Sequence, residues 1–210
     1  MNTIKKLLFL LTPKERKNAG LLVVMILIMA LLDMIGVASI LPFMAVLTNP
    51  SLVDTNIILN NFFQFSKTLG VENSQQFLFF LGILVFIMLI TSIIFKAFTT
   101  YVQLRFVQMR EYTIGKRLVE GYLHQPYSWF LNRHSADLGK TILSQVGEVV
   151  GGGIRPLIEL IAKGSVSIAF IILLMIADVK VALVVGFSLG ISYALIYKLI
   201  RSYLKRIGEK

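Results

Sequence analysis

Four apolar runs of membrane-spanning length constrain this chain more than any other feature. They are Gly20 to Leu47, Phe77 to Thr100, Ile154 to Ile176 and Val181 to Ile200. A helix needs about 20 predominantly apolar residues to cross roughly 30 Å of hydrocarbon, and every run reaches that length. With 56% of its residues hydrophobic, the chain also exceeds the roughly 45 to 50% of a soluble domain. The expectation is an all-α, multi-pass integral membrane protein: four long transmembrane helices in two hairpins, with a cytoplasmic helical extension.

Charge sets the expected orientation. The net charge of +10 comes from blocks of cations beside the apolar runs rather than from one face of a soluble domain, so it points to the positive-inside rule and not to nucleic acid. Lys67 and Lys180 are the two cations in the loops of the opposite side. Both termini and the arm from Tyr101 to Val150 are therefore expected in the cytoplasm, with 52–76 and Asp178 outside, in the cell (inner) membrane. Cysteine is absent and histidine occurs only at His124 and His134. Disulfide scaffolds, thiolate chemistry and His-rich metal sites are excluded.

The arm is the one long polar stretch, yet Val107, Ile114, Leu118 and Tyr122 keep helical apolar spacing, which predicts helix rather than linker. His124-Gln125-Pro126-Tyr127-Ser128-Trp129-Phe130 interrupts it, because proline biases the preceding residue away from helix. A helix, a short aromatic corner and a second helix follow from this. Elsewhere, residues 1–18 predict an amphipathic surface helix, residues 20–47 the first span and 52–76 an external loop. Residues 77–122 make the second span with its extension, 123–134 the corner, 135–176 the third helix and 179–206 the fourth. In the external loop Ile58, Phe62, Phe65 and Leu69 recur at helical spacing, either as an interfacial apolar face or as packing against the spans.

Candidate chemistry is sparse. Gly139-Lys140-Thr141 has the end of a phosphate loop, but His134 stands where an earlier glycine is required and no strand precedes it. His134 and Asp137 suit a helix start. On the third helix Glu148, Arg155, Glu159 and Lys163 share one stripe, read either as the lining of a wet cavity or as ion pairs along the helix with snorkelling. Lys96, on one face with Ser92, Thr99, Thr100 and Gln103, belongs to a cavity wall or an inter-helix seam. Measured from the inner end of each apolar run, Asp33 lies about 20 Å deep and Lys96 a few Å, so the two are expected not to pair.

The order of surface helix, long first span and two projecting hairpins resembles the first two thirds of a type I ABC exporter transmembrane domain. Leu32-Asp33-Met34-Ile35-Gly36-Val37-Ala38-Ser39-Ile40-Leu41-Pro42-Phe43, closed by Thr48-Asn49-Pro50, is similar to the first span of lipid-linked oligosaccharide flippases. Gln125 to Phe130 with Ser135-Ala136-Asp137-Leu138 looks like the family's first intracellular loop. That resemblance implies that Pro126, Tyr127, Ser128, Trp129 and Phe130 couple to a nucleotide-binding domain. It implies further that the helix over Ile57 to Leu69 handles lipid, that ATP and Mg are used by the nucleotide-binding domain, and that the full-length form is a homodimer. Family members have six spans and an ATPase domain; four spans here predict an N-terminal portion, with neither cofactor nor catalysis in these residues. A free-standing four-helix membrane scaffold is the alternative.

Overall fold

The computed structural model describes residues 11–67, 70–71, 73–131 and 134–208. Those residues are helical, without strands, and four helices are long and apolar enough to cross a membrane. Two compact units divide the chain, 1–166 and 167–210.

In the first unit, α1 (Pro13–Ala38) starts from a capping box: the Thr12 side chain accepts from the Glu15 amide at 3.4 Å and Glu15 Oε2 accepts from the Thr12 amide at 2.8 Å. Proline at the first helical position wastes no hydrogen bond there. Residues 13–18 are thus the first turns of the spanning helix rather than part of a separate surface helix, and residues 1–10 of that expected element lie outside the described residues. Substituting Thr12→Ala should cost about 1 kcal/mol. Hydrogen exchange at the Lys14 to Lys17 amides should rise accordingly; unchanged protection would show the cap to be idle.

The first apolar run is not one helix. Pro42 supplies no amide to the Ala38 carbonyl and its ring crowds that oxygen, so the helix breaks at Ser39. The Ser39 hydroxyl donates to Gly36 O at 2.7 Å, and α2 (Ile40–Thr48) carries the run on to Asn49. A short α3 (Leu52–Thr55) and α4 (Ile57–Lys67) follow. At the end of α4 the Val71 amide reaches Ser66 O and the Gly70 amide reaches Lys67 O, with Gly70 at φ 89°. This is a Schellman closure, and its left-handed position calls for glycine.

The longest element, α5 (Ser74–Leu123), has 50 residues, about 75 Å at 1.5 Å per residue. Hydrocarbon accounts for roughly 30 Å of that. After the corner come α6 (Tyr127–Leu131), α7 (Ser135–Lys140), a π-helical turn over Thr141–Gln145, α8 (Val146–Val149), a second π turn over Val150–Ile154 and α9 (Arg155–Ala177). Pro156, which has no amide to give Gly152, sits just beyond the second π turn. Nothing would contact a Cβ at Gly151 or Gly152, so neither glycine marks a close approach within the described residues.

Two apolar clusters hold the first unit together. At the loop end of the spans Val46, Val53, Leu59, Phe63, Val71, Phe77 and Leu81 are buried together, with Phe63 edge-on to Phe77 at 5.1 Å. At the basic end Leu22 and Ile26 meet Val146, Val150, Ile154, Ile158 and Ala162, with Phe106 and Val107 of α5 alongside. The buried positions on the third helix recur every fourth residue. An α-helix turns in 3.6 residues and would let that stripe drift round; the wider π turn keeps it in line.

In the second unit, Asp178 starts α10 (Val179–Gly208), its Oδ1 accepting from the Lys180 amide at 2.8 Å.

Candidate functional site

The corner at the far end of α5 is built by Pro126. The Gln125 amide returns to Tyr122 O and the Trp129 amide to Pro126 O, both at 2.9 Å, so the chain reverses into α6 without a long loop. Trp129 then folds back on α5: its ring lies 5.5 Å from that of Tyr122, and Phe130 packs edge-on to it at 5.2 Å. Trp129 and Phe130 are half-buried, while Tyr127 is 78% exposed, with Ser128 and Pro126 exposed beside it. The five residues named from sequence therefore divide: an aromatic stack that fixes the corner, and a projecting tyrosine face. Leu123, 74% exposed on the last turn of α5, adds apolar surface near this face. Its place on the helix period alone did not mark it.

On α9, Glu159 accepts from Arg155 Nε and from Lys163 Nζ, each at 3.1 Å. Arg155, Glu159 and Lys163 form a ladder one position round the helix from the buried Ile154, Ile158 and Ala162, with the Arg155 and Lys163 side chains mostly exposed. Glu148 is exposed one helical segment earlier, within 3.4 Å of the Ser144 hydroxyl.

Lys96 is not on that stripe. Its Nζ lies 2.7 Å from Asp33 Oδ2, and the Ser92 hydroxyl donates to Asp33 Oδ1 at 2.5 Å. Asp33 is buried, Lys96 half-exposed. The expectation that Asp33 and Lys96 do not pair is thus wrong. The apolar edges of the two runs, Gly20 and Thr100, are not level. In the structure Asn18 and Leu21 stand beside Val102, Arg105 and Met109, so Thr100 lies deeper than Gly20. The antiparallel register that results carries Lys96 up to Asp33. Close approach helps: a Cβ at Gly36 would meet Ser92 at 3.4 Å.

A second tie between the same helices was not legible in advance. Glu15 and Arg110, both buried, form an ion pair, and the Arg110 guanidinium lies 4.9 Å from the centre of the Phe106 ring. Glu15 pairs with Arg110 just as Asp33 does with Lys96, and the stretch between the two acids equals in length that from Ser92 to Arg110.

On α4 the buried face is Leu59, Phe63 and Ser66, whereas Phe62 and Phe65 are exposed at 49% and 65%. The helix is apolar on two faces, one packed and one turned outward. Leu69 lies outside the described residues, as does the side chain of Ile58.

No family model matches the chain, and no curated protein does.

Proposed function

We propose that this chain is the membrane-spanning part of an ATP-driven ABC exporter or flippase for a lipid-linked or amphipathic substrate. The observation that supports it is α5: a single helix about 75 Å long by its rise, well beyond the roughly 30 Å that hydrocarbon requires, which ends on a corner presenting Tyr127. A stiff lever with an exposed aromatic tip suits a partner that rotates and must move the spans, and exposed aromatics are common anchors of such interfaces. The partner is a nucleotide-binding domain that holds ATP and Mg, docking on Pro126, Tyr127, Ser128, Trp129 and Phe130. A homodimer would enclose the translocation path in the cell membrane, both termini cytoplasmic. In it Glu148, Arg155, Glu159 and Lys163 line a wet cavity and the outward face of α4, with Phe62 and Phe65, meets the substrate's lipid.

Reconstitution tests this. The chain, completed by the two further spans the family carries and incorporated in vesicles with a nucleotide-binding domain of the exporter type, should bind that domain and move a fluorescent lipid-linked saccharide only with ATP and Mg. Absence of both binding and ATP-dependent movement would leave the scaffold alternative.

A further inference from the structure

Between α1 and α9, beside Phe106 of α5, the first unit holds a cavity of about 260 Å³. Arg16 is the one charged side chain among the described residues that line it; the others are apolar, with Gly20, Val23 and Ile26 from α1 and Leu157 and Ile161 from α9. Positions 16, 20, 23 and 26 recur three and four apart, so they form one face of α1. Arg16 stands at the basic end of that face, about 15 Å by rise from Ile26. Glycine leaves room at the edge of the hollow: Gly20 is exposed, and a Cβ there would meet nothing within 4 Å.

Depth, wall and charge together select the occupant. Water does not suit the hollow, because a buried water needs two to four polar partners and this wall offers a single polar side chain, at one end. Gly20 begins the first apolar run, and Lys14, Arg16 and Lys17 stand just before it. The cavity therefore straddles the level at which lipid phosphates give way to hydrocarbon. Glu15, the acid of this turn, is paired with Arg110, whereas Lys14, Arg16 and Lys17 are exposed. The mouth is cationic, and the forked donors of a guanidinium suit phosphate oxygens. At roughly 30 Å³ for a group of methylene size, the hollow holds about eight of them, or about half of one acyl chain.

We propose that this cavity seats one acyl chain of a single anionic phospholipid, whose phosphate lies at Arg16. The chain fills the gap between α1 and α9 that Gly20 leaves. The site does not depend on the exporter assignment: a transporter and a scaffold would both carry it.

Native mass spectrometry of the full chain in detergent micelles, titrated with phosphatidylglycerol, tests it. The wild type should retain one lipid and hold phosphatidylglycerol more tightly than phosphatidylcholine. Arg16→Gln should weaken retention of phosphatidylglycerol about ten-fold, the worth of one charge-assisted hydrogen bond. Gly20→Leu, which fills the hollow and leaves every charge in place, should weaken retention of both lipids about ten-fold, as losing the burial of two methylenes does. Unchanged retention in either variant, equal retention of the two lipids by the wild type, or displacement of the lipid by inorganic phosphate would each overturn the proposal. So would a lipid-free dimer of the chain that Gly20→Leu dissociates, since a second copy would then occupy this face. Circular dichroism confirms that the variants fold. Gly20→Leu, which puts a better helix former in place of glycine, decides the matter should Arg16→Gln fail to fold.

Discussion

Lys96→Met should destabilise the protein by about 3 kcal/mol, because it leaves the Asp33 carboxylate inside an apolar run with the Ser92 hydroxyl as its remaining partner. The opposite deletion is milder. Asp33→Asn keeps a hydrogen-bonding group for Ser92, and the half-exposed Lys96 can extend its amine elsewhere, so about 1 kcal/mol is expected. Combining the two should cost about 2 kcal/mol rather than the roughly 4 kcal/mol to which independent effects would sum. The coupling read from the double-mutant cycle is then about 2 kcal/mol, measurable by unfolding in mixed micelles. A coupling under about 0.5 kcal/mol would mean that the pair holds nothing together.

On the proposed exporter function, replacing Tyr127 and Trp129 together by Ala should abolish ATP-driven transport while leaving membrane insertion unchanged. The two side chains act differently. Tyr127, 78% exposed, makes no ring stack among the described residues, so Tyr127→Ala alone should leave folding intact and weaken binding of the proposed nucleotide-binding domain roughly 30-fold, as loss of a 2 kcal/mol anchor does. Trp129 is stacked on Tyr122 and Phe130; Trp129→Ala should loosen the corner by about 1 kcal/mol and impair coupling through position rather than contact. Binding and transport are read separately, by titration of the isolated ATPase domain and by vesicle assay. Wild-type affinity and persistent transport in the double variant would remove the corner from the mechanism and with it the main support for an exporter.

Much of the fold was legible because lipid imposes simple rules. A run of apolar residues must close its own hydrogen bonds as helix, so the four spanning helices followed from length alone. Pro126 announced the corner for an equally local reason: it lacks an amide and restricts the residue before it. The stripe of Arg155, Glu159 and Lys163 was readable too, since helical period fixes which side chains are neighbours.

What the tertiary structure decided was register and facing. Whether Asp33 meets Lys96 depends on how far α1 slides along α5, and Glu15 with Arg110 fixes that slide; neither apolar edge reports it. On α4 the spacing singled out Ile58, Phe62, Phe65 and Leu69, whereas packing against Phe77 and Val71 buries Leu59 and Phe63 instead. At the corner, composition named three aromatics but could not tell the two that hold it from the one that projects. The physical reason is common to all three. Helix formation is local and is written in neighbouring residues, whereas register, facing and exposure are set by a partner surface far away in the chain.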